Sequence, residues 1–230
     1  DLVVAGADYH HVETSLLDPE FRSYSEAYWE SRVMAPSSLL FYLGFDRRLE
    51  GLRHHNLFFD RSLDVHAREI YDAPAWPSDP LMYVCVPSIT DPSVAPAGHE
   101  NVFALIPIAP GLEDTPAIRE RYLRQVLDRI GQRTGIDVRP HMVLQRSYCI
   151  NDFQADHNAF RGNAYGLANT LRQTAVLKPR MKSRRVQGLY FTGQLTVPGP
   201  GVPPSLISGQ VVADLIAKEF PQRATSPLPA

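Results

Sequence analysis

The chain has 230 residues, a net charge of −2, and hydrophobic and charged fractions of 44% and 21%. This balance is that of a globular protein and argues against intrinsic disorder, and the length suffices for one large domain or two small ones. Because Lys and Arg are scattered and not in excess, we expect no nucleic-acid binding, and no apolar run approaches the ~20 residues of a membrane-spanning helix.

The first half of the chain predicts a sheet. Residues 2–5 have the composition of a short buried strand that ends at a Gly–Ala–Asp turn. Residues 25–33 mix polar and aromatic side chains and are compatible with a helix. Three later apolar runs have the length and composition of strands, and we expect them to be neighbours in one sheet: residues 37–46, 81–86 and 101–108.

The clearest amphipathic helix is predicted over residues 115–134. Thr115 can cap its N-terminus with Pro116 at the first helical position. Apolar side chains then recur near the helical period, and either Gly131 or Gly135 can end the helix.

The C-terminal half ends in a strand, a turn and a helix. Residues 142–150 predict a strand, and residues 151–180 mix small and polar side chains without a clean period. Residues 188–192 predict a strand, residues 198–204 a Gly/Pro-rich loop, and residues 205–216 a helix. That helix is expected to carry five apolar residues on or near one face: Leu206, Ile207, Val211, Leu215 and Ile216.

A strand, a glycine turn and a helix aimed back at that turn can form a site for an anion or a dipole. The helix N-terminus presents free N–H groups and a partial positive charge, and Gly193 would let a ligand approach the backbone closely. Since two prolines in the first turn lack N–H groups, the donors would be Val202, Ser205 and Leu206. By spacing alone, a strand–turn–helix without a ligand is the simpler explanation.

Three segments carry a family resemblance. Residues 189–209 read LYFTGQLTVPGPGVPPSLISG, residues 158–175 read NAFRGNAYGLANTLRQTA with LKPR at 177–180, and residues 1–11 read DLVVAGADYHH. In this order they resemble the bacterial-type phytoene desaturases, the carotenoid branch of the FAD-dependent amine-oxidase-like superfamily. The resemblance covers essentially the whole chain and is looser over residues 18–140.

The resemblance implies an α/β fold in which this chain is the C-terminal portion of a larger enzyme. It would supply a substrate domain built as a mixed β-sheet with helices (α+β) and the C-terminal part of a Rossmann-like FAD-binding domain. The implied division is a strand and crossover of the FAD domain at residues 1–17 and a substrate-binding domain at 18–150. Residues 151–220 then return to the FAD domain, and residues 221–230 form a tail.

The resemblance also implies roles for individual residues. Gly193 and Gln194 would lie along the ribityl and pyrophosphate groups of FAD. Against the isoalloxazine ring would lie the following turn and helix start: Gly201, Val202, Pro203 and Leu206. Five residues would face the substrate, since small side chains let a flat hydrocarbon pass close to the ring: Asn163, Ala164, Tyr165, Gly166 and Leu167.

The chain departs from the family pattern at several points. Gln194 stands where many relatives carry small or acidic residues, although its amide can still hydrogen-bond a ribityl hydroxyl. Val197 stands where many relatives have His. The G-x-G-x-x-G turn that holds the ADP part of FAD does not occur among the 14 glycines. No catalytic residue is therefore assigned, and the chain alone is expected neither to bind FAD tightly nor to turn over.

The histidines and cysteines predict no metal site. The eight histidines include adjacent pairs at positions 10–11 and 54–55, which in a strand would point to opposite faces. Neither cysteine has the spacing of a metal ligand. Cys85 and Cys149 are expected to be buried thiols in a reducing compartment, with a disulfide left open.

Other candidate residues have a functional and a structural interpretation. Asp152, Asp156 and His157 could form an acid/base cluster, or a turn with Asx-type hydrogen bonds. Arg161 could approach the flavin or the substrate entrance, although a structural arginine is the simpler interpretation. Five aromatic residues could line a polyene tunnel or belong to an ordinary core: Phe41, Tyr42, Phe45, Phe58 and Phe59.

By resemblance, the predicted activity is desaturation of a C40 carotenoid precursor such as phytoene, with hydride transfer to FAD. The alternatives are a carotenoid isomerase or ketolase of the same fold, and a non-catalytic isoprenoid-binding module. Because such a substrate is insoluble in water, we expect a cytoplasmic protein attached peripherally to a membrane through an apolar patch.

Overall fold

The computed structural model describes residues 1–221 and forms two compact units. The first unit comprises residues 1–35, 156–160 and the chain from residue 164 onward, and the second comprises residues 36–155 and 161–163. These boundaries differ from the functional division implied by the resemblance, which stays a prediction. Beyond Pro221, the expected tail lies outside the described residues.

The described residues contain six α-helices and seven strands, a mixture of α and β structure. In chain order they are β1 (Val3–Ala5), α1 (Tyr9–Ser15), α2 (Glu26–Glu30), β2 (Ser37–Phe45), β3 (His55–Phe58), α3 (Leu63–Tyr71), β4 (Met82–Cys85), β5 (Glu100–Ile108), α4 (Pro116–Thr134), β6 (Met142–Tyr148), α5 (Ile150–His157), β7 (Leu189–Phe191) and α6 (Val202–Glu219).

The second unit is built on a five-stranded sheet in the order β3-β4-β5-β2-β6. The three runs expected to be neighbours are neighbours, as β4, β5 and β2. The expectation of a mixed sheet is wrong, because every pairing in this sheet is antiparallel. Runs of alternating side chains with one solvated face are typical of antiparallel sheets, whereas parallel strands are covered on both faces.

Helix α4 covers one face of this sheet. It begins where expected, since the Thr115 hydroxyl accepts from the Ile118 N–H, and it ends at Gly135, which adopts φ 75°. The buried face of the sheet and the helix form the main core, in which the longest strands contribute alternate residues. Phe41 and Phe45 belong to this core, whereas Tyr42 and Phe59 are exposed.

The opposite face of the sheet is only partly covered and carries a row of aromatic rings. Tyr42 of β2 is paired with Phe103 of β5, with ring centroids 5.4 Å apart, and Tyr83 of β4 follows at 6.3 Å from Phe103. Helix α3 lies beside this face, and its side chains line an apolar cavity of about 250 Å³ together with Leu105 and Pro107.

The first unit pairs the beginning of the chain with its C-terminal segment. Strand β1 runs parallel to β7, in the register Val3 to Leu189 and Ala5 to Phe191. The strand at residues 2–5 is confirmed, but its expected burial is wrong, because the side chains of Val3 and Val4 are exposed. Strand β7 is buried along its whole length.

Two helix predictions need correction. The pair His10–His11 lies in α1, not in a strand, because Asp8 caps a helix there by accepting from the His11 N–H at 3.1 Å. Residues 150–157 form α5, although their sequence has no clear period, and so Asp152, Asp156 and His157 are helical and not part of a turn. The helix at residues 25–33 is confirmed in a shorter form, as α2.

Candidate functional site

The turn after β7 is shaped by Gly193. The Thr192 N–H donates to the Ala5 carbonyl at 3.0 Å, which extends the parallel pair to the start of the turn. Gly193 then adopts φ 104°, a conformation that other residues rarely take. A Cβ at Gly193 would have no atom within 4 Å among residues 1–221, its two chain neighbours aside. The backbone of the turn is therefore open to a ligand.

A buried serine, Ser208, ties this turn to α6. Its hydroxyl accepts from the Gly193 N–H at 2.8 Å, lies 2.5 Å from the Thr192 hydroxyl, and donates to the Ser205 carbonyl at 2.6 Å. Ser208 could not be predicted from sequence, because a serine among apolar residues of a helix gives no signal of a bond to a distant glycine. The contact fixes the helix start relative to the glycine turn.

The N-terminus of α6 is open, but it offers fewer donors than expected. Gly201 precedes the helix with φ 112° and no side chain caps it. The Ser205 N–H is already bonded to the Gly201 carbonyl at 3.0 Å, so it is not one of the donors predicted for a ligand. The helix dipole remains, since the macrodipole depends on the backbone and not on a cap.

The buried face of α6 also differs from the expected one. Ser208 and Val212, four residues apart, are its buried residues, whereas Val202 and Leu206 are 76% and 73% exposed. Ile207 and Leu215 are exposed as well. The apolar face expected from sequence is therefore only partly confirmed, since Val211 and Ile216 pack beside Val212.

Gly166 brings part of the predicted substrate segment against the predicted cofactor turn. Gly166 has φ 75°, and a Cβ there would lie 2.7 Å from the Gln194 carbonyl oxygen and 3.0 Å from the Gln194 Cγ. The Gly166 carbonyl accepts from the Ala35 N–H at 2.8 Å. The resemblance implies a substrate role for Gly166 and a cofactor role for Gln194, and in the structure the backbones of these two residues pack closely together.

The other residues of the predicted substrate segment lie in different environments. Leu167 is fully buried in the core of the first unit and forms a bridge with Met34. Asn163 is buried in the second unit. Ala164 is half-buried and Tyr165 is exposed, so these two side chains are the more accessible ones. The predicted roles of all five residues, and of the six cofactor residues, stay predictions.

Lys178 is a charged residue that the sequence analysis did not single out. Its side chain is only 4% exposed, and its ammonium donates to the Leu167 carbonyl at 3.4 Å. A Cβ at Gly199 would lie 3.3 Å from Lys178 Nζ, so the ammonium lies beside the loop that leads into α6. Burial lowers the pKa of Lys178.

In the second unit, Asp114 forms a buried ion pair with Arg119. The Arg119 Nε and Nη2 atoms donate to its two carboxylate oxygens at 2.7 and 2.5 Å, and the Asn151 N–H donates to Oδ2 at 3.0 Å. Burial alone would raise the pKa of Asp114, but the hydrogen bonds from Arg119 and Asn151 outweigh it and hold the pKa below its ordinary value. The same Arg119 contacts Asp152 at 2.7 Å.

This ion pair lies in a cleft of about 570 Å³ whose lining includes Phe41, Gln145 and Ser147. Of the predicted acid/base cluster, Asp152 belongs to this network, and it also accepts from the Cys149 N–H at 2.8 Å. Burial, with the negative charge of Asp114, raises the pKa of the Cys149 thiol to about 12. Cys149 is therefore an inert buried thiol, as expected, whereas Cys85 is half-buried.

Arg161 has a structural role in the backbone of the second unit. It adopts φ 56°, and its carbonyl accepts from the Gly111 N–H at 2.8 Å.

His66 is a buried histidine whose hydrogen bonds are satisfied: Nδ1 accepts from the Leu81 N–H at 3.0 Å, so Nε2 donates to the Pro107 carbonyl at 2.8 Å.

The chain is similar to curated carotenoid-modifying enzymes, although no protein-family model matches it. It is 48% identical over 220 residues to the carotenoid 3,4-desaturase of Haloarcula japonica, which covers 96% of this chain and 44% of that protein. It is 32% identical over 229 residues to an all-trans-zeta-carotene desaturase of Myxococcus xanthus, over 95% of this chain and 42% of that protein. It is 30% identical over 237 residues to a phytoene desaturase of Neurospora crassa, over 99% of this chain and 40% of that protein.

The chain thus spans less than half the length of the curated relatives that it matches. A solved structure of an oxidoreductase from Methanosarcina mazei aligns with 93% of this chain and 43% of its own, at 15% identity and a TM-score of 0.45. At that distance the structural likeness carries no argument.

Proposed function

This chain is homologous to the carotenoid desaturases over nearly all of its length, and on that premise we propose that it is part of a flavin-dependent carotenoid desaturase. The observation that carries the proposal is the 48% identity to a carotenoid 3,4-desaturase over 96% of the chain. The proposed reaction removes hydrogens from neighbouring carbons of a long polyene precursor. FAD, when bound, supplies the hydride acceptor.

The residues of the first unit fit one part of a flavin site. The open backbone at Gly193 suits the close approach of a polar cofactor chain. Helix α6, which Ser208 ties to this turn, has an uncapped start that presents the positive end of a helix dipole. We propose that Gly193 and Gln194 hold the ribityl and pyrophosphate side, within a Rossmann-like domain. The exposed apolar start of α6, including Val202 and Leu206, would pack against the isoalloxazine ring and exclude water.

Gly193→Ala should weaken FAD binding by about tenfold or more, which corresponds to about 1.4 kcal/mol, because a methyl group would occupy the space left for the cofactor. The measurement is FAD affinity by fluorescence titration of the protein expressed from the complete reading frame. Gly98→Ala is a matched control, since Gly98 has φ 78° and also no atom within 4 Å of its Cβ position. Equal FAD affinities of the two variants would contradict the assignment of Gly193.

The aromatic row on the open sheet face supports a polyene as the substrate. The rings of Tyr42, Phe103 and Tyr83 offer an extended apolar strip across three strands, and such a surface suits a long, flat hydrocarbon. Expression of the complete reading frame in hosts that accumulate phytoene or more desaturated carotenes tests the activity. A product with more conjugated double bonds and fewer hydrogens is expected.

The same experiment separates the alternatives. A product of unchanged mass but altered geometry would identify an isomerase, and a gain of oxygen would identify a ketolase. Polyene binding without flavin reduction would indicate a binding module. Each of these outcomes would overturn the desaturase proposal.

We further propose that the protein attaches to a membrane surface through the side chains around α3. Leu57, Phe59 and Leu63 are 65%, 62% and 63% exposed and line the rim of the 250 Å³ apolar cavity. In residues 1–221, no helix has the length and hydropathy needed to span a bilayer. A water-insoluble substrate would enter from the lipid phase, and an exposed apolar patch beside an apolar cavity is suited to that transfer.

Replacing Leu57, Phe59 and Leu63 together by glutamine should lower co-sedimentation with phospholipid vesicles by at least about tenfold, because three exposed apolar side chains no longer enter the lipid. Val143 and Leu144 of β6 are similarly exposed, and their double replacement by glutamine is the control. Binding that falls equally in both variants would contradict the assignment of this patch.

A further inference from the structure

Three residues with metal-binding side chains come together at the edge of the second unit's sheet. Strand β3 is the edge strand, and its register places His55 directly opposite Cys85 of β4. His54 precedes β3, and its ring centroid lies 4.3 Å from that of His55. One donor atom from each of His54, His55 and Cys85 lies within 4.8 Å of the other two.

Both imidazoles are held in place by a hydroxyl group. His54 Nδ1 is 2.6 Å from the Thr90 hydroxyl, and His55 Nδ1 is 2.6 Å from the Tyr83 hydroxyl. Metal-binding histidines are commonly oriented by such a hydrogen bond at one ring nitrogen, which leaves the other nitrogen for the metal. The backbone is fixed as well, because the His54 carbonyl accepts from the Val86 N–H at 2.8 Å.

We propose that His54, His55 and Cys85 form a zinc site. Two imidazoles and a thiolate are ligands that zinc prefers, and three protein ligands leave a fourth tetrahedral position for water or another small ligand. Zinc–ligand bonds of about 2.0–2.3 Å place tetrahedral donors roughly 3.5 Å apart. The donor atoms therefore need to move by only about an ångström, which side-chain rotation provides at this half-exposed edge.

Such a site would stabilise the edge of the sheet. Among the described residues, strand β3 pairs on one side only, with β4. The zinc would cross-link His55 of this strand to Cys85 of β4 and to His54. Because the ion binds the folded protein and not the unfolded chain in this arrangement, its binding free energy adds to the stability of the second unit. This role is independent of the flavin and of the proposed desaturase activity.

The test is a titration of the protein, prepared without a polyhistidine tag and with its thiols reduced, with Co²⁺ followed by Zn²⁺. A single thiolate ligand gives a sulfur-to-cobalt charge-transfer band in the near ultraviolet, and tetrahedral coordination gives intense visible bands. We expect both at one equivalent of Co²⁺, their loss on addition of Zn²⁺, and a Zn²⁺-dependent rise in the thermal midpoint.

Variants assign the ligands. Cys85→Ser should abolish the charge-transfer band, and His54→Ala or His55→Ala should weaken Co²⁺ binding by at least about tenfold. Tyr83→Phe removes the hydroxyl that hydrogen-bonds His55 and Cys85 and should weaken binding by about tenfold. His99→Ala, a histidine outside the cluster, is the control and should bind as the wild type does. Circular dichroism establishes that each variant is folded.

Two results would overturn the proposal. One is a wild-type protein, with both thiols shown to be free, that gives no charge-transfer band with Co²⁺. The other is a band that persists in Cys85→Ser, since it would then come from Cys149 or from a non-specific site.

Discussion

Replacing Gly166 by alanine should destabilise the protein by about 2–4 kcal/mol. Two effects add: φ 75° is unfavourable for alanine, and the new Cβ would lie 2.7 Å from the Gln194 carbonyl oxygen. The backbone fixes the positions of both the Cβ and the Gln194 carbonyl, so no side-chain rotation relieves the contact. Chemical denaturation of the full chain, followed by circular dichroism, measures the loss.

Gly98→Ala separates the two effects. Gly98 has nearly the same φ, 78°, but its Cβ would meet no atom within 4 Å. Its replacement should therefore destabilise the protein by only about 1 kcal/mol, the conformational part alone. If both variants lose the same stability, the close approach of Gly166 to Gln194 does not exist in solution.

Asp114→Ala should destabilise the protein by about 3 kcal/mol, because it leaves the Arg119 guanidinium without its principal partner in a partly buried position. The two Arg119 donors, Nε at 2.7 Å and Nη2 at 2.5 Å, and the Asn151 N–H would all lose the carboxylate that accepts from them. Urea unfolding at neutral pH provides the measurement. Asp137→Ala is the control, since Asp137 pairs with Arg139 at the exposed surface, where an ion pair contributes ~0–1 kcal/mol.

The contribution of Asp114 should also depend on pH. Its pKa in the folded protein is below the ordinary value of 3.8, so the folded state binds the proton less readily than the unfolded chain does. The stabilisation is therefore fully present above pH ~4 and is lost as the pH falls through the lowered pKa. The difference in unfolding free energy between wild type and Asp114→Asn should narrow below pH ~4, and a difference that persists to pH 2 would contradict this account.

Strong local signals made part of the fold predictable. Helix α4 begins at the predicted threonine cap, with the proline at its first position. Of the two glycines that could end it, Gly135 does so and Gly131 does not. Strands β2, β4 and β5 are predictable because each is a long or dense run of apolar residues, which favours a strand. Helix α5 is not predictable from sequence, since its first turn is held by the contact of Asp152 with the Cys149 N–H and its apolar residues have no helical period.

The candidate sites were less predictable, because they depend on contacts between distant segments. The resemblance singled out Gly193 and Gly166, but not Ser208, whose hydrogen bonds to Thr192 and Gly193 exist only once α6 docks on the turn. Likewise, no spacing rule joins His54 and His55 to Cys85, since their proximity follows from the β3–β4 register. Lys178 gave no signal either, because a lysine in a polar segment is ordinarily exposed.

The parallel pairing of β1 with β7 has a consequence for the order of folding. The two strands are almost 190 residues apart in sequence, and all of the second unit, residues 36–155 and 161–163, is synthesised between them. At ~5–20 residues per second, β1 waits roughly ten to forty seconds on the ribosome before β7 is made. The antiparallel sheet, whose contacts are closer in sequence, can fold in that interval, so we expect the glycine turn and its serine to be among the last parts of the nascent protein to take shape.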